Sequence, residues 1–405
     1  MSRKPIIPTD SPRIPRRLAL LTLLASAGVV VLPSCGGGGG GGGAVAGVDT
    51  GGTGSFSTGR ITGFGSVIVN GVRYEDNVAR IVDEDGDKVL STQDLRLGMV
   101  VSVRGGGITA ATAGSLPTAT ASTITVESQI KGPVESRTAP DTLVVFGQTV
   151  KVDAATLFEG TSFAAITVGE VLEVSGFAGA GGVVTASRIE REDAANEFKV
   201  RGFVSGLDTA ARTFQVGGAT FNYAGTAADR LPAAPLAQGQ FVRVRSGITR
   251  NAGGEWPVTR IESRSRIDDC DESEVEGILL QSGAGFSVNG VAVDVSRLPS
   301  GTALPVGLRV EVEGAIVDNV LVARKIELDD GGGDSRVDAQ GTVSSVNLAA
   351  GTFVVRGITF HSTPGLTEEK DGTVAANLVN GATVRVRGQL TGSGNVEASE
   401  IDFRP

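Results

Sequence analysis

One eight-residue phrase occurs five times in this chain, and it constrains the fold more than any other feature. It reads Gly98-Met-Val-Val101-Ser-Val103-Arg-Gly105 and returns from Gly169, Gly239, Gly307 and Gly381. The skeleton is Gly-x-x-apolar-x-Val-x-Gly, and Ser246 is the one departure at the last place. Its two apolar positions are two residues apart, so they share one face of a β-strand. Repetition at a steady period means tandem small units rather than one continuous core.

Three further landmarks keep a fixed order around that phrase. An apolar-x-Gly strand start comes first: Ile61-Thr-Gly63, Ile130-Lys-Gly132, Val200-Arg-Gly202, Val275-Glu-Gly277 and Ala339-Gln-Gly341. An alternating strand–turn–strand follows, as in Val67 to Val72, Leu143 to Val150, Phe214 to Phe221, Phe286 to Val293 and Phe353 to Phe360. Asn-Gly between alternating apolar residues, as at Asn70-Gly71 and Asn289-Gly290, signals a hairpin whose two central residues take positive φ. After the repeated phrase comes a closing strand: Ala121 to Ile124, Ala186 to Ile189, Val258 to Ile261, Ala323 to Ile326 and Ala398 to Ile401. An acid follows each one (Glu127, Glu190, Glu262, Glu327, Asp402).

Strand, hairpin, variable insert, strand, strand is the order of an OB-like Greek-key barrel, and an SH3-like or other small barrel gives a similar pattern. The fold class is therefore all-β, a tandem array of five small OB-like barrels. The boundaries fall at 59–129, 130–196, 197–272, 273–335 and 336–405. The charged segments Arg191 to Asn196, Ser263 to Ser273 and Leu328 to Ser335 read as semi-flexible joints, so the expectation is beads in a row, each with its own core.

The N-terminus reads as a sorting signal. Arg3, Lys4, Arg13, Arg16 and Arg17 precede the uncharged run Leu18 to Leu32, which is too short to span a membrane. The run ends at Leu32-Pro33-Ser34-Cys35, which resembles a bacterial lipobox, although Pro33 is unusual at its place. On that reading 1–34 is a lipoprotein signal peptide, and Cys35 is the lipidated first residue of the mature chain. Residues 35–58, with glycine unbroken from Gly36 to Gly43, form a flexible tether with a mean reach of roughly 25 Å. Arg16-Arg17 raises a twin-arginine question, but Pro15 stands where Ser or Thr is usual, which favours Sec export. Five basic residues and one acid leave with residues 1–34, taking the formal charge from −9 to −13. A chain that acidic is repelled by nucleic acid and by anionic lipid surfaces. With Cys35 acylated, Cys270 has no partner for an intramolecular disulfide.

The repeat, the lipobox and the glycine run together resemble proteobacterial lipoproteins that carry tandem copies of a small β-barrel domain of unknown function. The resemblance spans about Gly59 to Phe403. It is most specific at Gly63-Phe-Gly65-Ser66-Val67-Ile-Val69-Asn70-Gly71 and at Leu95-Arg-Leu97-Gly98-Met99-Val100. It implies an envelope location, and Gly36 after the cysteine implies the outer membrane. It brings no catalytic residues.

The polar clusters have plainer readings than the chemistry they suggest. Asp83-Glu84-Asp85-Gly86-Asp87 lacks the spacing of an EF-hand, since its glycine comes too early, and reads as a hairpin turn. Asp268-Asp269-Cys270-Asp271-Glu272-Ser273-Glu274 reads as a solvated linker. Its acids disfavour a thiolate at Cys270, and a divalent-cation site or an intermolecular disulfide is the alternative. Asp329 to Asp334 reads as a linker as well. His361, the only histidine, reads as a surface strand-end residue. No Gly-x-Ser-x-Gly elbow or phosphate-binding loop occurs, and Gly105-Gly106-Gly107 reads as a flexible loop. Arg243/Arg245 beside Phe241, and Arg385/Arg387, would suit single-stranded nucleic acid on an OB face. The acidic charge and the export signal argue against that, so they read as outward strand positions. Trp256 reads as a packing residue.

The functional expectation is a lipid-anchored, non-catalytic binding, spacer or scaffold array, with no cofactor and no metal. Its partners are the membrane, through the lipid, and an envelope protein or polysaccharide, not nucleic acid. The alternative is an envelope hydrolase or a cation-dependent adhesin that uses the acidic inserts.

Overall fold

The computed structural model describes residues 54–86, 88–112, 115–329, 336–364, 367–370, 378–391 and 395–404. In the first repeat these form β1 (Gly54–Phe64), β2 (Val67–Val69), β3 (Val72–Glu75), β4 (Arg80–Asp83), β5 (Val89–Leu90), β6 (Val100–Gly106) and β7 (Thr118–Glu127). The ring closes in the order β1-β2-β3-β7-β6-β1, with β3–β7 its parallel contact. That is the OB-like Greek-key closure. The insert adds β4, laid parallel on β7 and turned back by β5.

The other four repeats close the same way. The second has β8 (Ile130–Thr138), β9 (Thr142–Val145), β10 (Gln148–Lys151), β11 (Leu157–Glu159), β12 (Val171–Ala178) and β13 (Val183–Glu192). The third has β14 (Phe198–Asp208), β15 (Thr213–Val216), β16 (Ala219–Asn222), β17 (Phe241–Ser246) and β18 (Trp256–Ser263). The fourth has β19 (Cys270–Ser282), β20 (Gly285–Val288), β21 (Val291–Asp294), β22 (Arg309–Val317) and β23 (Val320–Leu328). The fifth has β24 (Arg336–Asn347), β25 (Thr352–Val355), β26 (Ile358–Ser362), β27 (Glu368–Lys370), β28 (Thr383–Leu390) and β29 (Val396–Arg404). In each, the third barrel strand meets the closing strand in parallel. Helix among the described residues is confined to two single 3-10 turns.

The repeated phrase has a single physical meaning. Its valine pairs face inward: Val101 and Val103, Val242 and Val244, Val310 and Val312, and Val384 and Val386 are completely buried. Its opening glycine takes φ between +76° and +96° in all five copies, a region that disfavours a side chain. Its closing glycine does not end the strand, as its position in the phrase suggests, because β6, β12, β22 and β28 all run beyond it. Instead it faces a β-bulge. Pairing steps from Arg104↔Thr123 to Gly105↔Ala121, leaving Ser122 as an extra residue on the closing strand. Ser187, Thr259, Arg324 and Ser399 are the extra residues of the other repeats. The bulge explains why Ala121 and Ile124 are both buried at a spacing of three, where an unbroken strand would put them on opposite faces. A Cβ at Gly105, Gly176, Gly314 or Gly388 would lie 2.2–2.5 Å from a carbonyl oxygen of the closing strand.

The expected row of independent beads is not what forms. The cores of repeats 1 and 5 are one apolar cluster, and those of repeats 2 and 3 are another. Repeat 4 has its own core, completed by Phe56 and Ile267. Backbone pairing follows the same division. Repeats 1, 4 and 5 join through β1, which runs parallel to both β19 and β24. Repeats 2 and 3 join through β8–β14. A barrel of 60–70 residues buries too small a share of its surface to be strongly stable alone, and sharing cores raises that share.

The expected tether must also be shortened. Gly54 to Thr58 is strand, held between β6 and β19, with Phe56, Ser57 and Thr58 buried. The signal peptide, Cys35 and the glycine run lie outside the described residues.

Candidate functional site

Two of the charged clusters that stand out in the sequence, the Asp83–Gly86 turn and the Arg243/Arg245 face, meet at a junction between barrels. The acidic turn after β4 is a hairpin turn, as expected, but it is not solvated. The Glu84 and Asp85 side chains are 4% and 2% exposed. They lie against the third barrel, where β14 and β17 carry four cations in two cross-strand pairs, Lys199 opposite Arg245 and Arg201 opposite Arg243. Glu84 is 2.8 Å from Arg201 and 3.4 Å from Arg243. Asp85 is 3.0 Å from Arg243 and 3.5 Å from Arg245, and it pairs with Lys199. Glu127, from the end of β7, pairs with Arg201 as well.

Burial and charge pull these carboxyls in different directions. Burial raises Glu84 above the usual range, against the pull of Arg201 and Arg243. Burial opposes ionisation of Asp85 too, but the Lys199 bond and Arg243 outweigh it and hold the group below its usual value. Glu127 is held down to about 2: burial works against it, but Arg201, Arg264 and the Ser102 hydroxyl prevail. Two clefts open beside the hairpin, of 440 and 590 Å³, and both are lined by Asp83 and Glu84.

Arg243 and Arg245 do point outward from their barrel, as the alternation predicts, but into a neighbour rather than solvent. The aromatic half of the same face is covered too. Phe241 stacks edge-on with Phe203 at 5.0 Å, and the Asn289-Gly290 turn of repeat 4 packs so close that a Cβ on Gly290 would lie 2.5 Å from the ring. The OB face that suggested nucleic acid is therefore occupied from within the chain.

In the fourth barrel the same four outward positions are all acidic: Glu274 opposite Glu313, and Glu276 opposite Glu311. β1 covers part of this face. Arg60 donates its backbone N–H to Glu276 at 2.9 Å, and its guanidinium pairs with Glu276 and Asp329. Arg309 reaches Asp329 at 2.6 Å. Asp329 thus belongs to a buried ion network rather than a linker, while 330–334 lie outside the described residues. Burial raises Glu276 to about 7 despite Arg60, and burial together with Glu311 and Glu313 raises Glu274 to about 8.

The acidic run around Cys270 is solvated at Asp268, Asp269 and Asp271, which are exposed, but from Cys270 onward it is strand and not linker. Cys270 opens β19, buried, with its sulfur 3.1 Å from the Ser273 hydroxyl. Asp268 pairs with Arg104, Asp269 accepts the Asp318 N–H at 2.9 Å, and Glu272 accepts the Ile108 N–H at 2.5 Å. Among the described residues no group of His, Cys, Asp and Glu has the arrangement of a metal site.

His361 is on the surface, 43% exposed, at the end of β26. Its Nδ1 is 2.9 Å from Glu397, and Thr363 Oγ approaches the same nitrogen at 3.3 Å. A hydrolytic relay needs the carboxylate and the hydroxyl on opposite ring nitrogens, and here both crowd one. Arg385 is bidentate on Asp338 within its own barrel, and Arg387 reaches Glu400 at 3.1 Å. Trp256 is a packing residue: its ring lies 5.0 Å from Phe146 of repeat 2 and 5.5 Å from Phe198.

Sequence reasoning passed over one carboxylate pair. Lys131 lies 2.9 Å from Glu192 and 3.5 Å from Glu173 in the 590 Å³ cleft, and burial raises Glu173 to about 7. No recurring motif marks these residues, because no other repeat has the same three together: the place of Lys131 holds Thr62, Arg201, Glu276 and Gln340, and the place of Glu173 holds Ser102, Arg243, Glu311 and Arg385.

A search of curated proteins found no match. Among solved structures the chain is similar to a Drosophila one described as Unr CSD456, at 11% identity and a TM-score of 0.15, covering 50% of this chain and 97% of that one. It is also similar to a multidomain protein with nucleic acid binding domains from Streptococcus pneumoniae, at 14% identity and a TM-score of 0.15, covering 49% of this chain and 72% of that one. Residues 131–190, 274–327 and 340–402, in the second, fourth and fifth barrels, match the family described as Domain of unknown function (DUF5666). The chain is thus an all-β array of closed barrels that carries tandem copies of a domain of unknown function.

Proposed function

We propose that this chain is a lipid-anchored protein of the bacterial cell envelope, held at the outer membrane through Cys35. On this reading it acts as a non-catalytic binding, spacer or scaffold array for an envelope protein or polysaccharide. One observation carries the reading. What the five repeats share is core glycine, valine and isoleucine, with no polar site common to all of them. The polar groups that stand out are largely engaged with neighbouring barrels. Charged head, apolar run, Leu32-Pro33-Ser34-Cys35 and glycine run support the anchor by their order.

The test is pull-down from detergent-solubilised envelope using the mature lipoprotein, with Cys35→Ser as control. The expected result is a specific partner or glycan for the lipidated form, and a Cys35→Ser form that leaves the membrane fraction. Equal membrane association of the two forms would sink the anchor. Repeated failure to recover any partner would count against the array.

A hydrolase reading has one observation in its favour, the raised Glu173 beside Glu192 in an open cleft. Release of sugars or peptides from purified envelope by the wild type, lost in Glu173→Gln, would favour it over the scaffold.

A further inference from the structure

Repeats 1, 4 and 5 form one backbone-paired body, and repeats 2 and 3 form another. Among the described residues no strand of one body pairs with a strand of the other. Among the ties between them are a small apolar contact of Val100, Phe177 and Ile278, the packing of Gly290 on the Phe241 ring, the bonds from the Ser187 hydroxyl to the Gly98 carbonyl at 2.6 Å and from Arg264 to the Asn289 carbonyl at 2.7 Å, and the charged junction around Glu84 and Asp85. We propose that this junction is an electrostatic latch. The Glu84–Asp85 turn is a built-in anion that sits on the basic face of the third barrel and holds the first barrel against it at this point, and salt or loss of the facing cations releases the turn.

Four features of the geometry support this. Lys199, Arg201, Arg243 and Arg245 form two like-charge cross-strand pairs, an arrangement that is unfavourable unless anions offset it. Glu197 and Glu262 flank the set, at 2.8 Å from Arg245 and paired with Arg243, so the turn supplies the anions on the side facing repeat 1. The hairpin's backbone is held within its own barrel by the β4–β7 and β4–β5 pairings, so the turn can leave without unfolding either barrel. Finally, the 440 Å³ cleft is lined by Arg201 and Arg243 as well as by Glu84 and Asp85, so both sides of the contact are screened by salt once the turn lifts, and salt favours the open form.

One buried group fits a latch better than a fixed core. Glu84 Oε1 is shielded from solvent yet accepts no hydrogen bond, so the contact rests on charge and not on a saturated hydrogen-bond network. The inference does not depend on what the array binds.

Carbodiimide coupling of glycine ethyl ester to carboxyl groups, read by mass spectrometry on the full mature chain, tests it. Asp229, 78% exposed, sets the reagent scale, and Glu276, 5% exposed within the backbone-paired body, reports unfolding. Raising NaCl from 0.05 to 1 M should increase labelling at Glu84 and Asp85 at least tenfold, with Glu276 unchanged. Arg243→Gln/Arg245→Gln should show the same labelling already at low salt, and Arg243→Lys/Arg245→Lys should restore most of the protection. If the double Gln variant also labels Glu276 it has unfolded, and the wild-type salt series decides alone. Glu84 and Asp85 that stay protected in 1 M salt would overturn the latch and make the junction a fixed part of the core.

Discussion

Two neighbouring glycines in β6 should respond in opposite directions to the same substitution. A Cβ on Gly105 would lie 2.5 Å from the Thr120 carbonyl oxygen, about an ångström inside ordinary contact, and the obstacle is backbone of a paired strand. A Cβ on Gly106 meets nothing within 4 Å, and its φ is not in the left-handed region. Forcing a methyl into a packed site costs about 1–3 kcal/mol, and a carbonyl in a bulge that cannot swing aside places Gly105→Ala at the upper end. Gly106→Ala restricts only the unfolded chain and should stabilise by about 0.4–1 kcal/mol. Because the first barrel shares its core with the fifth, one global midpoint is a poor readout. Amide exchange of Val103 and Ile124, across the β6–β7 ladder, isolates the effect. A loss of about 3 kcal/mol speeds exchange roughly 150-fold in Gly105→Ala, while Gly106→Ala should slow it or leave it alone. Equal effects at both positions, or a larger loss at Gly106, would refute the bulge as the reason the phrase ends in glycine.

Other expectations follow from the shared cores and the buried charges. Phe146→Ala removes a ring that meets Phe198, Phe221 and Trp256 edge-on, and it should cost about 3–5 kcal/mol while loosening repeats 2 and 3 together in hydrogen exchange; loss confined to repeat 2 would contradict a common core. Deleting the chain through Thr58 removes the strand between β6 and β19 and takes Phe56 from the fourth core, so limited proteolysis should cut between Ser263 and Cys270 where the intact chain resists. Stability should also fall on both sides of about pH 5. Glu274 at about 8, with Glu276 and Glu311 at about 7, is raised, so its contribution is full below the unfolded value near 4.5 and is lost as pH rises through 7 to 8. Glu127 at about 2 is lowered, so its contribution is lost as pH falls from 4.5 through 2. Denaturant midpoints that rise steadily from pH 5 to 9 would contradict the raised acids.

Much of each barrel is legible in the residues because its causes are local. Alternation places Val101 and Val103 on one face, and Asn70-Gly71 makes the turn that brings β2 onto β3. The bulge was legible too, in retrospect. Ala121 and Ile124 are both apolar at a spacing no regular strand uses for one face, and that oddity recurs in every copy. The junctions are a different matter. Arg243 and Glu276 occupy strand positions that alternation assigns to solvent, Glu84 lies in a turn, and nothing in their local sequence says that another barrel strand or turn arrives there.

The chain by itself determined the unit: five closed barrels in OB-like order, because hairpin, alternation and glycine signals act within about 70 residues of one another. Tertiary structure alone decided how the units combine. Whether an outward charge meets water or a partner depends on which barrel faces pair. That pairing is set by the sum of many weak surface complementarities, spread over residues as far apart as Arg60 and Asp329, and no short stretch of sequence contains it.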